Sequence, residues 1–184
     1  MSTPPGIDAA AVSKFFAEHV EGGDVPLRFS FLSGGRSNLT YRVEGGEHTW
    51  VLRRPPLGFV LPTAHDMARE HRVLTALRDT GIPVPRTQAL CTDESVTGGP
   101  FYVMDFAPGI VIEEELPTGY ASTPAERRRI GTALMQTLAA LHAVDWRALG
   151  QSHPELTQVV SHDPEQREAL LADGLLIDGL ELAP

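Results

Sequence analysis

The residues of this chain that are best suited to chemistry are a glycine-rich segment and an arginine and glutamate that follow it. Gly34, Gly35 and Ser37 are small, so backbone N–H groups there could approach phosphate oxygens closely. Arg53 ends a run with strand character, from which a cation could reach beneath that segment and neutralise phosphate charge. Glu70 lies in the next predicted helix, where an acidic partner would hold the direction of the cation.

Each of these features also has a plain structural interpretation. Gly34-Gly35 alone is typical of a hairpin turn. Arg53 and Glu70 could form only a surface ion pair, which contributes little to stability. We favour the functional interpretation because the pieces follow one another in the order that a nucleotide site needs. His142 and the single cysteine, Cys91, are more typical of a packed or capping histidine and a thiol inside a strand.

The composition restricts the classes of partner. The formal net charge is -9 and the pI is near 5.2, which argues against a nucleic-acid or membrane surface because both need a basic face. Lys14 is the only lysine, so a role that other enzymes give to lysine must fall to arginine. A lone cysteine excludes an intramolecular disulfide, and neither a signal peptide nor a bilayer-spanning stretch is evident. These observations predict a cytoplasmic protein.

The elements that must position the chemical residues follow from periodicity and from turn residues. A leading helix is predicted from Ala9 to His19, ended by Gly22-Gly23. Five strands are predicted, at Leu27 to Leu32, Leu39 to Val43, Thr49 to Arg53, Thr87 to Cys91 and Phe101 to Phe106. Glycine turns separate the first three, which implies an antiparallel meander.

Helices are predicted between and after the strands. Thr63 with Asp66 resembles a capping box that opens a helix ended by Gly81. Thr123 starts a second helix in the same way, and its apolar face continues to about Ala143. Beyond Gly150 the pattern predicts a short helix and an apolar tail, at Pro164 to Ala172 and Leu175 to Leu182.

Five stretches carry a family pattern. They are Leu32 to Val43, Val51 to Pro56, Arg69 to Leu74, Phe101 to Gly109 and Leu138 to His142. In this order they resemble the aminoglycoside phosphotransferase and choline kinase-like family, within the protein-kinase-like fold. The chain is most similar to bacterial phosphotransferases related to kinase domains that are fused to acyl-CoA dehydrogenases. The resemblance covers roughly two-thirds of the chain, and the set is far more specific than any single motif.

The resemblance implies an α+β fold and a division into two parts. Residues 1–107 would form a kinase-like N-lobe, with a five-stranded antiparallel sheet and its helix. Residues 108–184 would form the exit from the hinge and a partial helical C-lobe. The implied activity is ATP-dependent and Mg²⁺-dependent transfer of a phosphoryl group to a small-molecule hydroxyl, with a nucleotide and an unidentified acceptor as partners.

The resemblance also implies roles for single residues. Ser37 and Asn38 would belong to the loop over the nucleotide phosphates, and Arg53 would take the place of the kinase strand lysine. Glu70 would be the helix partner of Arg53. The backbone from Asp105 to Ala107 would be the hinge that hydrogen-bonds adenine.

The sequence lacks part of the machinery that the family uses. Transfer needs an aspartate that orients the substrate hydroxyl, which the family carries in a His-Gly-Asp segment, and metal ligands. This sequence has no such segment, and Asn38 is its only asparagine. Asp178 is a faint match to the metal-binding strand of the family. We therefore expect a truncated, catalytically impaired chain; the alternative is a non-catalytic nucleotide- or partner-binding module.

Overall fold

The chain forms an α+β fold around one antiparallel sheet of five strands, which confirms the fold class predicted from the sequence. A computed structural model describes residues 3–32, 38–58, 65–110, 112 and 115–152. Backbone contacts divide the chain after Val144, and all five strands lie in the first unit. Of the second unit, the structure describes the part up to Ser152. The boundary expected between residues 107 and 108 stays a prediction.

The sheet consists of a three-stranded meander and a later pair of strands. The strands are β1 (Arg28–Phe31), β2 (Leu39–Gly45), β3 (His48–Arg54), β4 (Thr87–Cys91) and β5 (Phe101–Asp105). Their order is β1-β2-β3-β5-β4, and every neighbouring pair is antiparallel. Gly45 pairs with His48. Gly46 therefore sits in a two-residue turn, and its φ of 57° is one that glycine adopts readily.

The first helix, α1 (Ala9–His19), covers one face of the sheet. Its start is fixed by Asp8, whose side chain accepts from the N–H groups of Ala10 and Ala11. Val12, Phe15 and Phe16 are buried on its inner side. They pack against alternate residues of the central strands, which are Tyr41, Val43, Trp50, Leu52, Phe101 and Val103. This apolar core lies on one side of the sheet and leaves the other side for the candidate site.

The second helix, α2 (Met67–Leu77), lies next to β4 and β5. Asp66 is its N-cap and accepts from the N–H of Arg69 at 2.8 Å. The prediction that Asp66 lies in the first turn of this helix is therefore wrong, because Asp66 is the residue that precedes the helix. Thr63 lies outside the described residues. The end at Gly81 is confirmed, since a short 3₁₀ turn leads into this glycine at a φ of 79°.

The described residues contain three further helices. A short α3 (Glu94–Thr97), which the sequence reading missed, connects β4 to β5, and α4 (Pro124–His142) begins at the predicted capping box. There Glu126 donates its N–H to Thr123 and accepts from the Thr123 N–H at 2.8 Å. No residue of α4 is buried. Helix α5 (Trp146–Ser152) belongs to the second unit.

Some of the sequence predictions concern residues or properties that the structure does not describe. The helix and the tail expected after residue 163 lie outside the described residues. Among the helices that the structure does describe, none has the length and apolar character needed to cross a bilayer. The cytoplasmic location stays a prediction. Cys91 is buried in β4, which confirms the strand-core thiol.

Candidate functional site

The centre of the candidate site is an ion pair between β3 and α2. Nε of Arg53 donates to Oε2 of Glu70 at 2.9 Å. Side chains alternate along a strand, so Arg53 points away from the core into which Leu52 points. The cap at Asp66 puts Glu70 in the first turn of α2, where a negative charge suits the helix dipole. Both side chains are about one-third exposed, so a ligand can still reach the pair.

Glu70 also binds two neutral donors. Nδ2 of Asn38, just before β2, donates to Oε1 at 3.0 Å. The hydroxyl of Tyr102, on β5, donates to Oε2 at 3.1 Å. Residues from β3, from β5 and from the position before β2 therefore converge on one carboxylate. Burial raises the pKa of Tyr102, and the negative charge of Glu70 raises it further, so the hydroxyl remains a proton donor.

Asn38 connects Glu70 to a further side chain, His65. It is 4% exposed, and its Oδ1 lies 2.5 Å from Nδ1 of His65. The amide therefore uses its oxygen towards His65 and its nitrogen towards Glu70, which satisfies both ends of a buried polar group. His65 extends the network to the segment that precedes α2.

The guanidinium of Arg53 keeps donors available on its outer side. Nη1 donates to Oγ1 of Thr40 at a longer distance, 3.3 Å. Nη2 has no hydrogen-bond partner within the part of the chain that the structure describes. An arginine that is oriented through Nε and still has unused N–H groups can donate to phosphate oxygens. The arrangement is therefore suited to an anionic ligand.

Several predicted site residues cannot be compared with the structure. Gly34, Gly35 and Ser37 lie between β1 and β2, outside the described residues, and Asp178 lies beyond them as well. Within the described ranges, no three His, Cys, Asp or Glu side chains are arranged to hold a metal ion. The phosphate loop and the magnesium ligand stay predictions.

The predicted hinge retains one unused backbone donor. The N–H of Asp105 donates to the carbonyl of Arg86 at 2.8 Å, and the N–H of Phe106 donates to that of Thr49 at 3.2 Å. Ala107 is exposed, and its N–H has no partner among the described residues. The donor that an adenine base could use in this segment is therefore the N–H of Ala107.

The ion pair borders an apolar cavity of about 450 Å³. Its polar wall contains Arg53, Arg69, Glu70 and Tyr102; its apolar wall contains Val73, Leu74, Pro85 and Met104. A larger cavity of about 720 Å³ lies between α1, β4 and α3, remote from the ion pair. We place the site at the smaller cavity because convergent polar groups beside an apolar surface are typical of binding sites.

Sequence reasoning missed three members of the network. Tyr102, His65 and Thr40 each donate to or accept from a residue that it had selected. For Tyr102 a signal existed, since strand alternation places it on the face opposite Phe101 and Val103. Thr40 pairs with Arg53 across β2 and β3, a register that the sequence alone does not provide.

Comparisons with known proteins identify the family and the fold. The sequence model of the phosphotransferase enzyme family matches residues 28–181. A solved structure from Ralstonia eutropha, described as a "putative aminoglycoside phosphotransferase", has a TM-score of 0.63 and 37% sequence identity. The match covers 78% of this chain and 40% of that one.

Two relatives are much longer than this chain. Acyl-CoA dehydrogenase family member 10 of Mus musculus is 39% identical over 123 residues, which are 67% of this chain and 11% of that protein. Acyl-CoA dehydrogenase family member 11 of Homo sapiens is 35% identical over 146 residues, which are 77% of this chain and 18% of that protein. The chain thus spans less than one-fifth of either relative.

Proposed function

Because the chain belongs to the phosphotransferase enzyme family, we propose that it supplies the nucleotide-binding part of an ATP-dependent phosphotransferase that acts on a small-molecule hydroxyl. The observation that supports this best is the ion pair of Arg53 and Glu70 at 2.9 Å. Phosphoryl transfer depends mainly on positioning and on electrostatic stabilisation, and a cation held by a carboxylate provides both.

In this proposal Arg53 binds phosphate oxygens and Glu70 fixes its direction. Glu70 takes up Nε, which leaves Nη2 for the ligand. A guanidinium is a planar fork and a lysine ammonium is a compact point charge, so the two are not interchangeable. Arginine nevertheless supplies the same sign of charge, and its planar donors match two phosphate oxygens at once. The single lysine, Lys14, lies in α1 on the other side of the sheet.

The base would bind at the exit of β5. The N–H of Ala107 is the available donor, and an extended backbone offers carbonyl acceptors next to it. Adenine presents a donor and an acceptor on one edge, which suits a backbone segment of this kind. The N–H of Asp105 donates to the carbonyl of Arg86, just before β4, and its carboxylate accepts from Gln88 of β4 at 2.5 Å. This attachment would hold the hinge in place while a base binds.

The bound cofactors would contribute the reacting group. ATP would supply the γ-phosphoryl group, and Mg²⁺ would neutralise charge on the phosphate oxygens. Arg53 is suited to ATP, since its guanidinium has N–H groups available for phosphate beside an apolar cavity. A metal site is not apparent among the described residues, so we assign no metal ligand.

A second candidate function is nucleotide binding without turnover. The observation that favours it is the absence of a His-Gly-Asp segment from the printed sequence. Without an aspartate in that role, the substrate hydroxyl has no identified proton acceptor. ATP binding alone would then serve recognition of a partner or control of an attached domain.

Isothermal titration with MgATP, together with a coupled assay over a panel of alcohols, separates the two candidates. Arg53→Ala is expected to weaken MgATP binding about tenfold or more, because it removes charge-assisted hydrogen bonds to phosphate. Arg28→Ala is the control, since Arg28 is 76% exposed on the edge strand. Turnover that Arg53→Ala abolishes would support the enzyme, and MgATP binding without turnover would support the second candidate. A wild-type chain that does not bind MgATP would refute both.

A further inference from the structure

Tyr102 is the one donor to Glu70 that comes from β5. Its hydroxyl shares Oε2 with Nε of Arg53, at 3.1 Å and 2.9 Å respectively. Tyr102 also pairs directly with Arg53 across β3 and β5. The tyrosine therefore lies beside the arginine on the sheet and contacts the same carboxylate oxygen.

The tyrosine itself is fixed by its surroundings. It is 2% exposed, and its ring meets the ring of His71 edge to face, with centroids 6.1 Å apart. His71 follows Glu70 directly on α2. The hydroxyl therefore has little rotational freedom. Its hydrogen bond to Glu70 connects β5 to α2. A hydroxyl with this geometry can hold a carboxylate in one rotamer.

We propose that Tyr102 is a positioning residue for nucleotide phosphate: it locks the carboxylate of Glu70 so that Arg53 presents its outer donors to the ligand. The inference rests on the proposed nucleotide-binding function. Asn38 holds Oε1, and Tyr102 with Arg53 holds Oε2, so the plane of the carboxylate is set at both ends. Without Tyr102, Oε2 retains only the arginine among the described residues, and the two side chains can move together away from the phosphate.

Tyrosine suits this role because it is neutral. A second cation on Oε2 would compete with Arg53 for the negative charge of Glu70. A phenol satisfies the remaining acceptor capacity of that oxygen and leaves the ion pair intact. Among the described residues, no other side chain of β5 contacts Glu70 through a hydrogen bond. This arrangement links the strand that leads into the hinge to the cation that would bind phosphate.

The chain offers a matched control in Tyr41. Tyr41 is also buried, and its hydroxyl donates to the carbonyl of Pro5 at 2.6 Å, on the core side of the sheet. Tyr102→Phe and Tyr41→Phe each delete one hydroxyl with one hydrogen bond, and both retain the ring. A purely structural role for Tyr102 predicts the same behaviour for both variants.

The test measures the dissociation constants of MgATP and adenosine by competition with a fluorescent ATP analogue. Tyr102→Phe is expected to weaken MgATP binding about fivefold and to leave adenosine binding unchanged, because only the phosphates contact Arg53. Tyr41→Phe is expected to lower the melting temperature and to leave the ratio of the two constants unchanged. An unchanged ratio in Tyr102→Phe, or the same shift in both variants, would overturn the inference.

A second measurement needs no nucleotide and separates this inference from the proposed function. Melting temperatures are compared for Tyr102→Phe, Glu70→Ala and the double variant. A direct link predicts that the shifts are not additive, because either single change already removes the hydrogen bond. Additive shifts would overturn the link even if MgATP binds, whereas a wild-type chain that fails to bind MgATP refutes the proposed function alone.

Discussion

The two faces of the sheet differ most clearly in two neighbouring arginines of β3. Arg53 faces α2, and a carboxylate holds it at one nitrogen. Arg54 faces α1 and is 3% exposed. Nη1 of Arg54 donates to the carbonyls of Gly6, at 2.6 Å, and of Thr97, and Nε donates to the carbonyl of Pro55. Arg53 can thus still donate to a ligand on one side of the sheet, whereas Arg54 donates to backbone carbonyls on the other.

This difference shows that the partners of an arginine, and not its type, indicate its role. Arg54 ties three separate segments to β3: the stretch before α1, the end of α3 and the residue that follows β3 itself. No carboxylate contacts it among the described residues, and burial lowers its pKa. Its contribution is structural. Arg53 makes fewer contacts with the protein and retains donors.

The largest expected effect that tests this comparison is a loss of stability in Arg54→Ala. Removal of the guanidinium leaves carbonyls without a donor on the buried side, so we expect a destabilisation of about 3 kcal/mol. Arg53→Ala should cost about 1 kcal/mol, because Asn38 and Tyr102 still satisfy Glu70. Urea unfolding measures both. The comparison fails if Arg53→Ala is the more destabilising of the two, or if Arg54→Ala impairs MgATP binding in the folded protein.

A smaller effect should appear between pH 7 and pH 5, on the α2 face of the sheet. Burial lowers the pKa of His71, and the charge of Arg72 lowers it further. The folded state therefore binds fewer protons than the unfolded state, so this contribution is present above pH ~6.5 and is lost as the pH falls below it. In urea unfolding between pH 7 and pH 5, His71→Gln should lose less stability than the wild type. His142→Gln, at an exposed position of α4, is the control and should follow the wild type.

The smallest expected effect concerns Thr40. Its hydrogen bond with Nη1 of Arg53 is long, 3.3 Å, and Glu70 already sets the direction of the guanidinium. Thr40→Val should therefore weaken MgATP binding by about twofold or less, as measured by titration calorimetry. Thr49→Val, on β3, serves as the matched control. A tenfold loss in Thr40→Val would show that Thr40, and not Glu70, orients the arginine.

Much of the fold could be predicted because each element has a local signal. Strand alternation, glycine turns and the capping box at Thr123 depend on neighbouring residues, and the structure confirms the elements that they predict. The start of α2 was placed wrongly because Thr63 and Asp66 are both good caps, and local sequence does not decide between them. The short α3 was missed for a similar reason, since four residues carry too little periodicity.

The candidate site was predictable only in part. Arg53 and Glu70 could be selected from their order along the chain. For Tyr102, strand alternation indicates the face of the sheet but not the contact with Glu70. Its contact with Glu70 depends on β5 lying beside β3, although β4 comes between them in sequence. Such a pairing is set by the packing of the whole sheet. His65 was missed because its partner, Asn38, lies 27 residues earlier.

The alternation along β3 has a consequence for how this sequence can diverge. Substitutions at single positions change one face and leave the other intact. Deletion of one residue inside β3 would reverse every side chain before or after that point. With such a deletion just before Trp50, Trp50 and Leu52 would leave the core, and Arg53 would replace Arg54 on that side of the sheet. We therefore expect relatives to vary in length at the turn around Gly46 and to keep the length of β3 constant.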